Sequence, residues 1–323
     1  MQEIRLGSTD LVVSSLALGT WSYGGDWGAV DVDAATRTIN GAVDLGINFF
    51  DTAQAYGFGQ AERILADALW PLARREDVVV ATKGGLRQQG NRIVRDASAD
   101  WLRQGVEQSL RHLRVDYIDL YQVHWPDPRT PAAETGAVLN QLVEEGKIRY
   151  VGVSNYDVAQ LEQLRRFVTV DAVQPAYHLF RQEVDVDLLP YCADHGIGVL
   201  VYGSLAHGLL SGAMTPDTTF APDDWRAHSP DFAGETFADN LAVVAELDAF
   251  AAERNLSLPE LAVAWTLAHP AIDVAIMGAR SAAHLHDSVA AADVKLEDED
   301  LWEIDRIMTS ATPVQGPAPE GMP

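Results

Sequence analysis

Four residues carry the chemistry in this chain. Asp51 and Tyr56 stand in the run FFDTAQAYG, Lys83 follows the apolar run VVVAT, and His124 follows YIDLYQV. A free phenol, with a pKa near ~10, is a poor acid at neutral pH. An ammonium beside it favours the phenolate and lowers that pKa. A carboxylate next to the ammonium holds it in place and keeps it charged. A histidine beside the phenol hydrogen-bonds a substrate oxygen and orients it. Together these groups deliver a proton to an oxygen on which negative charge develops, as when hydride reaches a carbonyl carbon. Any one of them alone is more often a loop or cap residue. As a set directly after apolar runs, Asp51, Lys83 and His124 converge on one rim with Tyr56 beside them.

Something must place them there. Short apolar runs at 16–20, 47–51, 78–82, 117–123, 148–153, 170–174, 197–202 and 273–277 predict eight strands. Most are continuous rather than alternating, which suits strands buried on both faces of a parallel sheet. Helical patterns separate them at 33–45, 61–72, 98–112, 131–145, 157–166, 185–195 and 258–268. Ser98 reads as an N-cap, and Gly46 and Gly146 as helix stops. Segments 3–6 and 11–13 read as a hairpin closing the barrel bottom. An open doubly wound sheet that binds a dinucleotide carries GxGxxG after its first strand. Here the first strand is followed by Trp21-Ser22-Tyr23-Gly24-Gly25-Asp26. The fold predicted is therefore α/β, a closed (β/α)8 TIM barrel with an N-terminal hairpin and a long loop, 207–236, after strand seven. Such a loop is a functional lid or disordered. One domain is expected over 1–311, and a Pro/Gly-rich disordered tail from Thr312.

In such barrels the chemistry sits at the C-terminal ends of the strands. Those ends are Gly19-Thr20-Trp21, Asp51, Lys83, His124, Ser154-Asn155, Gln174, Tyr202 and Gly278.

Composition narrows the partners. The 323 residues carry a net charge of −24 and only three lysines, Lys83, Lys147 and Lys295. Nucleic acid and anionic membranes are poor partners for such a chain. No run approaches the ~18 apolar residues of a membrane helix. The start, Met1-Gln2-Glu3-Ile4-Arg5, lacks the basic and apolar regions of a signal peptide. The one cysteine, Cys192, rules out a disulfide within the chain, so a reducing cytoplasm is expected, and the thiol is read as buried and inert. A polyanionic ligand has to be met by helix N-termini and a few arginines.

The segments FFDTAQAYGFGQAE, VVVATKGG, DYIDLYQVHWPDP, VGVSNY, VQPAYHLF, VLVYGSLAHGLLSG and IMGARSAAHLHDS occur in this order from about Gly19 to Ser288. In this the chain resembles the aldo-keto reductase superfamily, especially its bacterial general-reductase branch, whose fold also includes potassium-channel β subunits. The resemblance implies NADP(H)-dependent reduction of aldehydes and ketones, without metal or flavin, on small carbonyl substrates. It makes Tyr56 the general acid in reduction, Lys83 its activator, Asp51 the partner of Lys83, and His124 the group that positions the carbonyl. It places the nicotinamide carboxamide at Ser154, Asn155 and Gln174 and the ring on Tyr202. The pyrophosphate falls under Gly203, Ser204, Leu205, Ala206, His207 and Gly208. The adenosine phosphate falls against Gly278, Ala279, Arg280 and His284, with Asp287 and Ser288 at the adenine. Gly19, Thr20, Trp21 and Asp51 complete the cofactor set.

Relatives usually read Tyr-Ser-Pro-Leu-Ala-Gln-Gly where this chain has Tyr202 to Gly208. They often carry Gln at His284 and Glu-Asn at Asp287-Ser288. Arg280 is the candidate for a 2′-phosphate, since a guanidinium forks onto phosphate, or else an exposed arginine at a helix start. Arg226 is a phosphate clamp or a solvated loop residue. Trp21 and Trp125, with Tyr56 and His124, are the substrate-contact candidates; ordinary packing between loops is the other reading of the tryptophans. His284 and His286 suggest a metal only weakly, as no carboxylate cluster accompanies them. Two other readings compete: an NADP(H)-holding regulatory or sensor protein on the same barrel, and a metal-dependent barrel hydrolase. The complete tetrad argues against the first, and Lys83 and Tyr202 at the strand ends argue against the second.

Overall fold

The computed structural model describes residues 1–25, 27–90, 92–222, 224–279, 285 and 288–321. The chain opens with β1 (Glu3–Arg5) and β2 (Val12–Ser14), an antiparallel pair. The barrel strands follow as β3 (Leu16–Gly19), β4 (Phe49–Asp51), β5 (Val79–Gly84), β8 (Ile118–Val123), β9 (Ile148–Ser154), β10 (Ala172–Gln174), β11 (Gly198–Tyr202) and β12 (Val274–Gly278). They close in that order, β12 pairing with β3, and every pairing is parallel. A second hairpin, β6 (Leu86–Gln89) with β7 (Arg92–Arg95), rises from the end of β5.

Every residue of β5 and β8 is buried, which is why their apolar runs show no alternation. The outer faces pack on a ring of helices: α1 (Val32–Asp44), α2 (Gln60–Leu69), α3 (Ala99–Leu113), α4 (Ala132–Glu144), α5 (Val158–Arg165), α6 (Leu188–His195), α7 (Gly234–Glu253), α8 (Leu258–Ala268) and α9 (Asp298–Met308). The inner faces form a separate cluster with Phe49, Leu120 and Leu200, roofed at the strand starts by Leu6, Leu11 and Val13 of the N-terminal hairpin. That closure requires a glycine. Gly7 has φ +49°, and a Cβ there would stand 2.3 Å from Gly198 N.

The helix boundaries follow local chemistry. Asp31 caps α1 by accepting from the Ala34 amide. Ser257 and Glu260 form a reciprocal capping box on α8. Gly46 and Gly146 follow α1 and α4 with φ of +83° and +71°. Ser98 occupies the N-cap of α3 but does not cap it: its hydroxyl donates to Asp96 Oδ1 at 2.6 Å instead, and Glu134 accepts from the Ala99 amide.

Two further segments pack against the barrel. The long loop after β11 carries three short 3-10 turns, at Ala206–Ser211, Trp225–His228 and Pro230–Phe232. Leu209, Leu210, Trp225 and Phe232 are buried in the outer core, so widely spaced apolar residues hold the loop down among its Pro and Asp. The tail from Thr312 lies against the barrel. Thr312 and Asn240 exchange two hydrogen bonds, and the Val314 amide donates to Phe180 O at 3.0 Å. Val314 is fully buried, and Glu320 meets Arg95 of β7. No helix among the described residues is long and apolar enough to cross a membrane.

Candidate active site

Three consecutive barrel strands deliver the tetrad. Asp51 ends β4, Lys83 lies near the end of β5, and His124 follows β8. Tyr56 sits in the turn between β4 and α2. Lys83 is 1 % exposed. Its ammonium is ion-paired with Asp51 Oδ1 and donates to Thr52 O at 3.1 Å and Tyr56 Oη at 3.4 Å. Burial pulls the Lys83 pKa down, and the Asp51 charge opposes that pull. The Tyr56 and His124 rings stand edge to face, 5.6 Å between centroids. Burial, followed by the Lys83 charge, holds the His124 pKa well below its ordinary value, so the imidazole is neutral at physiological pH.

A polar row runs beside the tetrad. The Ser154 hydroxyl donates to Gln174 O at 2.8 Å, and Asn155 Nδ2 donates to Ser154 Oγ at 3.0 Å and to His124 O at 3.1 Å. Tyr202 Oη donates to Asn155 Oδ1 at 2.8 Å. Asn155 takes a left-handed φ of +61°, a conformation Asn tolerates better than most residues. Gln174 Nε2 donates to Asp51 Oδ2 at 2.9 Å, so the row and the tetrad are joined through a single carboxylate.

These residues surround a cavity of about 430 Å³ at the strand C-termini. Of the residues named from sequence, Gly19, Trp21, Asp51, Tyr56, His124, Trp125, Ser154, Asn155, Gln174 and Tyr202 line it. So do Gly203, Ser204, Leu205, His207, Gly208, Arg226, Gly278 and Ser288. Lys83 lies beneath it. Thr20, Ala206 and Ala279 stand behind its wall, all at most 2 % exposed. Arg280, His284 and Asp287 lie outside the described residues, as does His286.

Within the loop after β11, Gly203, Ala206, His207 and Gly208 all have positive φ, which turns the backbone tightly over the cavity. Ala206 and His207 are strained there, since only glycine adopts such φ without cost. Arg226 is largely buried and paired within its own loop. It is bound to Asp224 at 2.6 Å and to His207 O at 2.9 Å, and its guanidinium lies 4.8 Å from the Trp27 ring centroid. Cys192 is buried under the helix ring, and burial pushes its thiol up to about 12.

Sequence reasoning missed several wall residues. Leu86 and Ile93 come from the β6–β7 hairpin, where the sequence Gln-Gly-Asn between alternating residues is a readable hairpin signal. Trp27 stands edge to face with Trp21 at 5.0 Å. Pro317 and Pro319 come from the tail, where nothing local announces them. Gln122, fully buried in β8, donates to Asp51 Oδ2 at 3.3 Å.

A closed barrel of eight parallel strands, with buried Lys83, Asp51 and His124 beside a half-buried Tyr56 at its C-terminal mouth, defines a class of protein, and comparison agrees with it. Residues 15–309 match the model of the Aldo/keto reductase family, and the chain belongs to that family. It is 41% identical to the aldo-keto reductase YhdN of Bacillus subtilis (strain 168), over 95% of this chain and 94% of that one. It is 36% identical to the NADH-specific methylglyoxal reductase of Escherichia coli (strain K12), over 93% and 96%. The solved glycerol dehydrogenase AKR11B4 from Gluconobacter oxydans superposes with a TM-score of 0.88 at 39% identity, covering 98% of each chain.

Proposed function

We propose that the protein is an NADP(H)-dependent reductase of aldehydes and ketones in which Tyr56 is the general acid. The observation that carries this reading is the Lys83 ammonium, buried between the Asp51 carboxylate and the Tyr56 hydroxyl. The cavity residues fit a nicotinamide dinucleotide. Ser154, Asn155 and Gln174 offer amide and hydroxyl groups to a carboxamide, and Tyr202 offers a ring face. Ser204 Oγ is buried without a partner among the described residues, in a loop turned over the cavity. When bound, the dinucleotide supplies the hydride.

The chain's own groups do the rest. Neutral His124 hydrogen-bonds the substrate oxygen and sets its orientation. Tyr56 Oη delivers its proton to that oxygen as charge builds there. The Lys83 ammonium stabilises the phenolate that remains, and Asp51 keeps the ammonium charged against its burial. Trp21, stacked on Tyr56 with centroids 6.3 Å apart, and Trp125 wall the substrate side. Selection of the 2′-phosphate is assigned to Arg280, on sequence alone. One relative is named as an NADH-specific reductase, which makes this the point where the chain and its relatives can part.

The test is direct. The purified protein is mixed with NADPH and an aromatic aldehyde, and the nicotinamide absorbance is followed. Turnover is expected in the wild type. It should fall by at least about a hundredfold in Tyr56→Phe, with NADPH Kd within about twofold. Turnover no faster than the Tyr56→Phe control would sink the enzyme reading, and a large rise in Kd would make Tyr56 structural.

A further inference from the structure

Side chains inside a (β/α)8 barrel stack in layers, each drawn from alternate strands and usually filled by Val, Ile and Leu. Below the cavity this barrel departs from that rule. Alternate strands β4, β8 and β10 bring Asp51, Gln122 and Gln174 together, each at most 3 % exposed. Three hydrogen bonds close the group. Gln174 Nε2 donates to Asp51 Oδ2 at 2.9 Å and to Gln122 Oε1 at 3.2 Å, and Gln122 Nε2 donates to the same Asp51 oxygen at 3.3 Å. Room for this is built in: Gln122 faces Gly152 across the β8–β9 pairing, and a Cβ on Gly152 would stand 2.8 Å from Gln122 Cγ.

The chemistry of the three groups leaves one arrangement. The Asp51 carboxylate only accepts, so both amides must turn their nitrogens toward it. Gln174 Nε2 has two hydrogens, one on Asp51 and one on Gln122 Oε1. Its amide is thereby locked with Oε1 as the free end, and Gln174 lines the cavity. Among the described residues no donor reaches that oxygen. Gln122 cannot reach a ligand from its place under the cavity floor, so it acts only through its two neighbours.

We propose that Gln122 is a positioning residue of the site: it steadies the free oxygen of the Asp51 carboxylate and fixes Gln174 with its carbonyl oxygen toward the cavity, as an acceptor for a carboxamide N–H. This rests on the nicotinamide reading above. It adds that the proton-donor group and the carboxamide seat are set by one buried amide.

The experiment compares two dinucleotides by quenching of tryptophan fluorescence: NADP+, and its 3-acetylpyridine analogue, which keeps the carbonyl but has no amide N–H. The quantity read is the ratio of the two Kd values. In Gln122→Met the preference for NADP+ should shrink by about fivefold, the worth of one hydrogen bond. A residue that merely fills the barrel would weaken both ligands alike and leave the ratio alone. Gln122→Glu, held protonated by burial and by the Asp51 carboxylate beside it, keeps a donor to Asp51 and the acceptor for Gln174 Nε2, so its ratio should stay within about twofold of wild type. If Gln122→Met does not fold, Gly152→Ala decides, because it displaces the Gln122 side chain without removing a polar group. A ratio unchanged in Gln122→Met, or in Gly152→Ala where that variant stands in for it, overturns the proposal alone. A wild-type protein that binds neither dinucleotide overturns the nicotinamide reading and this proposal with it.

Discussion

Lys83 Nζ reaches Tyr56 Oη at 3.4 Å while it is ion-paired with Asp51, so one buried ammonium serves both the phenol and the carboxylate. The two services can be separated by mutation.

Under the proposed mechanism, Lys83→Met removes the group that stabilises the phenolate, and it leaves Asp51 buried without its counter-ion. Turnover should fall by at least about a hundredfold. Stability should fall by about 3–5 kcal/mol, the usual result of stranding one member of a buried pair. Adding Asp51→Asn removes the stranded charge. The double variant should recover most of the stability in denaturant unfolding and none of the turnover. If it is no more stable than Lys83→Met alone, the pair is not what holds Asp51 in the barrel.

The site also makes stability depend on acid. Burial is the first cause that lowers the pKa of His124, His178 and His207, His207 to about 3. All three stay neutral in the folded protein, whereas the unfolded chain takes up their protons below about pH 6.5. The unfolded state therefore binds more protons, and stability falls as pH falls through that window. Each such histidine adds a slope of up to about 1.4 kcal/mol per pH unit. His178 is fully buried, with neither ring nitrogen bonded among the described residues. His178→Asn should therefore flatten the curve of unfolding free energy against pH between about 6.5 and 5 by one histidine's share. An unchanged slope would mean that His178 is protonated in the fold.

The reasons why some of this could be read from sequence, and some not, are physical. The barrel showed because parallel strands buried on both faces leave continuous apolar runs. Asp51, Lys83 and His124 showed because a polar residue stands out where such a run ends. Gln122 sits inside the run YIDLYQV, where one amide among apolar neighbours looks like noise until the barrel closes and sets Asp51 and Gln174 opposite it. The docking of the tail depends on one buried valine and on partners from 72 to 225 residues away, so no local pattern could announce it. The composition that predicts disorder there reflects how little apolar surface the segment has to bury.

Arg280→Ala tests the part of the cofactor seat that sequence alone assigns. Removal of a guanidinium that grips a 2′-phosphate should raise the Kd for NADPH by about tenfold and leave NADH within about twofold, since only NADPH offers that phosphate. Equal effects on both dinucleotides would take Arg280 out of this role.

The tail forms part of the cavity wall, and its anchors differ in strength. Pro317 and Pro319 line the cavity, and a Cβ on Gly316 would stand 3.1 Å from His207 Nε2, so the strap lies directly on the β11 loop. Val314 has no solvent exposure, whereas the Glu320 side chain that meets Arg95 is 50% exposed. Burial should therefore dominate charge. Val314→Ala removes two methyl-sized groups from a packed site and should cost about 2 kcal/mol. Glu320→Gln should cost no more than about 0.5 kcal/mol, as exposed pairs do. Truncation after Ala311 removes both anchors and both wall prolines. It should raise KM for an aromatic aldehyde by about tenfold, through lost apolar contact, and leave the Kd of the dinucleotide within about twofold. Steady-state kinetics and thermal unfolding on the three variants read these outcomes. A truncated protein with wild-type KM would show that the strap does not touch bound substrate.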